Sequence, residues 1–179
     1  MLGTETDQQV GLWIEQAREA YARRRIPRVL HYFQRALKYA EQRGLQQETA
    51  LICRDLGYVY AQEGALEQAL AFLDQGLGVR ESAELSVQVG LLANKASVLL
   101  RLRSYRDSLD LLGEAIALIG GTYKNLSEAP SQLVHSYAGL QRMAGDLRRV
   151  VDLLEMGIKP ERLAVEVKIE ERPWLRRKS

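Results

Sequence analysis

The chain holds a single cysteine, Cys53, which excludes an internal disulfide and a thiolate zinc cluster. Its ordinary place is that of a small buried apolar side chain on a helix. Histidine is nearly as scarce. His31 and His135 stand far apart, and neither belongs to an HExxH or other ligand-spaced group. With four prolines and aromatic residues at only 7%, the chain lacks the material of a β-sandwich. No apolar run reaches the roughly 18 residues that a membrane-spanning helix needs. Residues 1–9 are polar and acidic, without the basic and apolar regions of a secretion signal. A cytoplasmic protein is the expectation. Catalytic signatures are absent as well: no glycine-rich loop ends in Gly-Lys-Ser/Thr, and no Gly-x-Ser-x-Gly elbow occurs. Gly120-Gly121-Thr122 lacks the lysine and the preceding strand of a phosphate loop, and reads as a helix terminus. Acidic residues are scattered at solvent-type spacing. The expectation is therefore no enzyme, no cofactor and no metal.

What is present is leucine and alanine at helical spacing. Hydrophobic residues make up 46% of 179 residues, enough for a domain that buries roughly 70% of its unfolded surface. The net charge of +2 implies no polyanion partner by itself. Its distribution is uneven, because residues 159–179 hold seven Lys/Arg against four Glu, leaving a slight negative excess in the rest.

Four segments obey one rule. A small residue on a first helix is followed twelve positions later by a small or β-branched residue, four later by a large apolar one, and three later by a small one. The quartets are Ala17, Val29, Phe33, Ala36; Gly57, Ala69, Leu73, Gly76; Ala96, Ser108, Leu112, Ala115; and Ala138, Val150, Leu154, Gly157. Their starts are spaced 40, 39 and 42 residues apart. Two helices approach closely only where both carry small side chains, and the large residue then fills the gap to the next pair. One such hairpin cannot bury its own apolar face, so several must stack. Trp13 precedes Ala17 by four, Leu56 and Tyr60 flank Gly57, and Gly64 and Gly145 fall where a turn between paired helices belongs. Pro27 suits the start of a second helix, where its missing N–H is harmless. Ser104 and Asp107 form a candidate capping box. Extra turns are expected in the polar connectors 41–49 and 80–86, and a true loop over 120–131.

The segment 56–70, Leu-Gly-Tyr-Val-Tyr-Ala-Gln-Glu-Gly-Ala-Leu-Glu-Gln-Ala-Leu, resembles the signature of the tetratricopeptide repeat, with poorer copies before and after it. The resemblance covers roughly residues 8–158 and is stretched from the usual 34-residue period. It implies an all-α fold, a right-handed α-solenoid of antiparallel helix pairs with about eight helices, over residues 1–158. Residues 159–179 would then be a C-terminal cap or basic tail.

The resemblance also implies a protein-interaction scaffold whose first helices line a concave groove. Carried onto this sequence, groove positions include Arg18 and Tyr21 in the first repeat, and Arg54, Tyr58 and Gln62 in the second. The third offers Asn94, Ser97 and Arg101, and the fourth His135 and Arg142. Four arginines and two tyrosines suit an acidic or mixed acidic–apolar peptide segment of another protein. The carboxylate clamp known in some members is not carried over, because Ile14 and Arg18 stand where it needs Lys and Asn.

In the tail, Leu163, Val165, Val167 and Ile169 alternate with Ala164, Glu166 and Lys168 in a strand-like period of two. A short capping helix is the competing reading. The basic end, residues 172–178, would meet like charges in an arginine-bearing groove, whereas Glu166, Glu170 and Glu171 would not. Arg23-Arg24-Arg25 reads as a solvated turn rather than a nucleic-acid contact. Nucleic acid is not the expected partner. A module using the basic tail to regulate or to touch nucleic acid, and a self-associating subunit, stay open as alternatives.

Overall fold

A computed structural model describes residues 3–157, with side chains from Gln8 onward. The alternating stretch 163–169 and the basic end 172–178 lie outside the described residues. Among those described, every regular element is helical: α1 (Gly3–Ala22), α2 (Ile26–Arg43), α3 (Gln46–Gln62), α4 (Leu66–Leu77), α5 (Leu85–Arg101), α6 (Tyr105–Thr122) and α7 (Ser131–Glu155). Short 3-10 turns occupy Arg80–Ser82 and Leu126–Glu128. Each helix packs on the next, and α3 also packs on α5. None of these helices is long and apolar enough to cross a membrane.

The α1–α2, α3–α4 and α5–α6 connections are one turn built from different residues. In each, a single residue enters the left-handed region: Arg24 (φ 53°), Gly64 (φ 84°) and Arg103 (φ 62°). The next N–H then reaches back five positions, from Arg25 to the Ala20 carbonyl, from Ala65 to Tyr60 and from Ser104 to Leu99, at 2.9 Å each. This closure satisfies carbonyls that the helix end would otherwise orphan. A reversal this short makes the two helices of each pair antiparallel neighbours. Ser104 uses its backbone here and makes no side-chain cap bond, so the expected capping box does not form. Its own N–H, which the box would need, is already donated to Leu99.

All twelve residues of the first three quartets are buried. The glycines show why the positions are small. A Cβ on Gly57 would stand 2.5 Å from Leu73 Cγ, and one on Gly76 would stand 2.9 Å from Cys53 Cβ. Ser108 fills the equivalent seam between α5 and α6, and its hydroxyl donates to the Ala96 carbonyl at 2.7 Å. Pro27 sits in the first turn of α2, as its missing N–H allows. The polar connector expected over 41–49 shrinks to Gly44 and Leu45, because α2 and α3 absorb its flanks. The loop expected over 120–131 begins only after Thr122, since α6 runs through both glycines.

The fourth pair is a correction. Seven α-helices are present among the described residues rather than about eight, because α7 continues unbroken through Gly145. Ala138 and Gly157, expected at a seam, are both exposed. The reason is a second pattern in the same residues. Leu133, Tyr137, Leu140, Ala144, Leu147, Val151 and Leu154 recur at alternating intervals of four and three, and all are buried or half-buried. That stripe keeps one face of one helix toward α6, and a hairpin would have had to switch it.

Candidate functional site: the α1–α3–α5 face

The first helix of each pair meets the next across one face. Between α1 and α3, the Tyr21 and Tyr58 rings lie 6.2 Å apart in a tilted arrangement. One turn earlier, Arg18 Nη2 stands 3.9 Å from Asp55 Oδ2. Between α3 and α5, Asn94 Nδ2 donates to the Arg54 carbonyl at 3.3 Å. Arg101 Nη1 donates to the Ala61 carbonyl near the end of α3. Tyr58, Ala61, Gln62, Asn94, Ser97 and Arg101 surround a shallow depression at that end of the face.

The electrostatic centre is a buried ion pair. Arg54 is 5% exposed and Asp55 is fully buried. Asp55 Oδ1 accepts from Arg54 Nε and Nη2, both at 2.8 Å. Burying a charge is tolerated only when it is paired and hydrogen-bonded, and a guanidinium forked onto a carboxylate meets that condition. Arg18 is the looser partner. Its side chain is 31% exposed, and its two ion-pair distances, to Glu15 and to Asp55, are 3.8 and 3.9 Å. Its buried Nε has no hydrogen-bond acceptor among the described residues.

Six of the eight expected groove residues come together on this face: Arg18, Tyr21, Arg54, Tyr58, Asn94 and Arg101. They differ in what they present. Arg101 is exposed, Arg18 and Tyr21 are half-buried, and Arg54, Tyr58 and Asn94 are buried between helices. His135 and Arg142 are exposed on α7, the helix packed against α6. His135 Nδ1 lies 2.6 Å from the Ser131 carbonyl one turn back.

Asp55 was not among the expected site residues, although its carboxylate organises the two arginines beside it. The signal was its setting. It falls within Ile52–Val59, eight consecutive buried residues, where an ionised side chain must have a countercharge. Cys53, in the same stretch, is fully buried. Burial, with the Glu41 carboxylate nearby, pushes its thiol up to about 12, so it stays protonated and unreactive at neutral pH. No group of three or more His, Cys, Asp and Glu that would hold a metal is present among the described residues. What the face offers is donors, aromatic surface and a shallow recess.

Compared with family models, with curated proteins and with solved structures, the chain finds no significant match in any of the three.

Proposed function

We propose that this chain is a tetratricopeptide-like interaction scaffold that holds an acidic or mixed acidic–apolar peptide segment of another protein on its α1–α3–α5 face. In this reading the helix pairs continue into a right-handed superhelix, and the protein supplies contact surface without chemistry. The observation that carries the reading is the depression beside Arg101. Exposed Arg101, with one Nη donated to the Ala61 carbonyl, lines one recess together with Gln62, Ser97 and Tyr58. A planar guanidinium donates in a fork that fits a carboxylate, and tyrosine adds contact area at low entropic cost. Arg18, its side chain 31% exposed, offers a second guanidinium on the same face.

The test is fluorescence anisotropy with labelled peptides in which Glu alternates with Leu or Val, against charge-inverted peptides in which Lys replaces Glu. The acidic set should bind and the basic set should not. Arg18→Gln/Arg101→Gln should weaken binding by tenfold or more, about 1.4 kcal/mol. Arg28→Gln/Lys38→Gln, at exposed positions of α2, should leave it unchanged. Equal binding of both peptide sets, or no loss in the groove variant, would remove the reading.

A further inference from the structure

The geometry points to a second binding surface, the exposed side of α2, as a contact for a single-stranded nucleic acid held by its phosphates and by stacking of its bases. This surface is not part of the α1–α3–α5 face, and it does not depend on the peptide reading of that face.

Charge is the first argument. Between Glu19 and Glu41 the chain holds six Lys/Arg, one histidine and no carboxylate. Arg28, His31, Arg35 and Lys38 recur at intervals of three, four and three, which sets them along one side of α2, and all four are exposed. Arg24 and Arg25 extend the row into the turn that opens the helix, and Arg43 stands at its far end. From Arg28 to Arg43 the helix rises about 22 Å. Arg23 is paired with Glu19 at 2.9 Å. Arg24, Arg25, Arg28, Arg35 and Lys38 form no ion pair among the described residues. The nearby acids are drawn elsewhere: Glu15 faces Arg18, and Glu41 accepts from the Gln75 amide of α4. The arginines at the α1–α2 turn, expected to be no more than solvated, thus open a row of unspent charge.

How two of these guanidiniums are held is the second argument. Arg35 Cζ lies 4.6 Å from the centroid of the Trp13 ring, and Arg43 Cζ lies 5.2 Å from that of Tyr39. Tyr39 in turn meets Trp13 edge-on at 5.5 Å. An aromatic face positions a guanidinium without neutralising its charge. Both arginines stay exposed, so their N–H groups are left for phosphate oxygens. Along α2, Arg28, Tyr32, Arg35, Tyr39 and Arg43 alternate cation and ring at intervals of four, three, four and four, with both tyrosines half-buried. That alternation suits a single strand, whose bases stack on rings and guanidinium planes while its phosphates meet the cations. A duplex keeps its bases stacked on one another and would leave the rings unused. A bilayer surface is held by apolar side chains sunk beside the cations. The large apolar residues exposed among the described residues are Leu12, Leu102 and Met156, and none lies on α2.

The test is the anisotropy of a fluorescent oligouridylate of about 20 nucleotides titrated with the full chain. Binding should saturate at about 50 mM salt, and log K should fall against log salt with a slope of about −3, the value for four phosphate contacts on a single strand. Arg28→Gln/Lys38→Gln leaves Trp13 and Tyr39 covered. It should weaken binding at least tenfold and flatten the slope by about 1.4. Arg148→Gln/Arg149→Gln removes the same charge from exposed positions of α7 and should change affinity less than twofold. Melting temperatures within about 2 °C of the parent, as expected for surface positions, show that a loss is not unfolding. No saturable binding, no loss in the α2 pair, or equal loss in both pairs overturns the proposal. Tyr32→Leu keeps an apolar side chain and removes the ring. It should cost fivefold or more at unchanged slope, and full affinity would overturn the stacking and with it the choice of a single strand. A duplex of the same length binding as tightly, or polyglutamate competing equally at equal charge, overturns the choice of partner. So does capture by phosphatidylserine vesicles that the α2 pair abolishes. The α2 pair also separates the two surfaces, because it should lose the oligonucleotide and keep the acidic peptide. Loss of both would overturn the claim of a separate site, whereas a parent that binds the oligonucleotide as described and no peptide would remove only the peptide reading.

Discussion

Replacing Asp55 by asparagine should destabilise the protein by about 3–5 kcal/mol, the range for breaking a buried ion pair from one side. The cost arises from what is left behind. Arg54 is 5% exposed, and its Nε and Nη2 both rest on Asp55 Oδ1 at 2.8 Å. Asparagine keeps one acceptor oxygen but removes the charge, and it brings two N–H donors toward a group that can only donate. A domain of this size has a total stability of about 5–15 kcal/mol, so the loss is a large share of it. At about 2–4 °C per kcal/mol for chains of 150–250 residues, the melting temperature should fall by about 6–20 °C. Calorimetry and urea titration would measure both quantities. The companion variant Arg54→Met/Asp55→Leu removes both charges and should be close to neutral or more stable, because the desolvation of the pair is repaid only in part. A cost below about 1 kcal/mol for Asp55→Asn, within the range of an ordinary point mutation, would refute the claim that this carboxylate is the countercharge of Arg54.

The remaining predictions concern the seams, the turns and the thiol. Leu73→Ala, at a fully buried position, should cost about 2–5 kcal/mol; a cost under about 0.5 kcal/mol, typical of surface sites, would put Leu73 outside the seam. Arg24→Gly and Arg103→Gly should each stabilise by about 0.5–1 kcal/mol, since a left-handed non-glycine costs about 1–2 and glycine returns about half to unfolded-state entropy. The two lie in separate turns and should add, while loss of stability in denaturant titration would mean that the arginine side chains hold these turns. Cys53 should resist a thiol reagent at pH 8 in the native protein and react fully in denaturant. Its folded-state value is raised from 9.0 to about 12, so its contribution to stability is complete below pH 9 and is lost as pH rises from there to 12. A flat stability profile across that window would contradict its burial.

The helical class and the three seams were legible because they rest on local rules. Small or β-branched residues twelve apart, followed four later by a large apolar residue and three later by a small one, mark where two helix backbones meet. Ala17, Gly57 and Ala96 are buried together with all their partners for that reason. The same rule misread residues 131–157, because Ala138, Val150, Leu154 and Gly157 satisfied it without a seam, and Gly145 was taken for a turn. A Leu/Tyr/Ala/Val stripe at intervals of four and three continues from Leu133 to Leu154 past both Ala138 and Gly145, and specifies one long helix. A turn also does not require the glycine that announces it. Arg24 and Arg103 adopt the conformation of Gly64, held there by the same backbone hydrogen bonds.

That Arg18, Tyr21, Arg54, Tyr58, Asn94 and Arg101 share one face was legible from spacing, and what each side chain does there was less so. Placing a residue on a helix face from its spacing says which way its Cα–Cβ bond points. It does not say whether the side chain stays there. Neighbours at i and i+1 do not face each other on an ideal helix, yet Arg54 folds back onto Asp55 because neither charge has water to turn to. On the proposed peptide-binding reading, the consequence reaches the ligand. A strip of exposed arginines would draw any polyanion, and its attraction would decay steeply with salt. An arginine already neutralised, a half-exposed Arg18 and an exposed Arg101 instead make a face with few cations at set places. Such a face favours a segment whose carboxylates fall at matching intervals with apolar side chains between them. Affinity of that kind rests partly on apolar burial, so it should survive physiological salt, where exposed charges more than about 8 Å apart are largely screened. A tenfold or greater loss of peptide affinity between 50 and 200 mM salt, of the order expected for binding carried by several phosphate-like contacts, would show that charge alone holds the ligand and that the aromatic recess beside Arg101 is incidental.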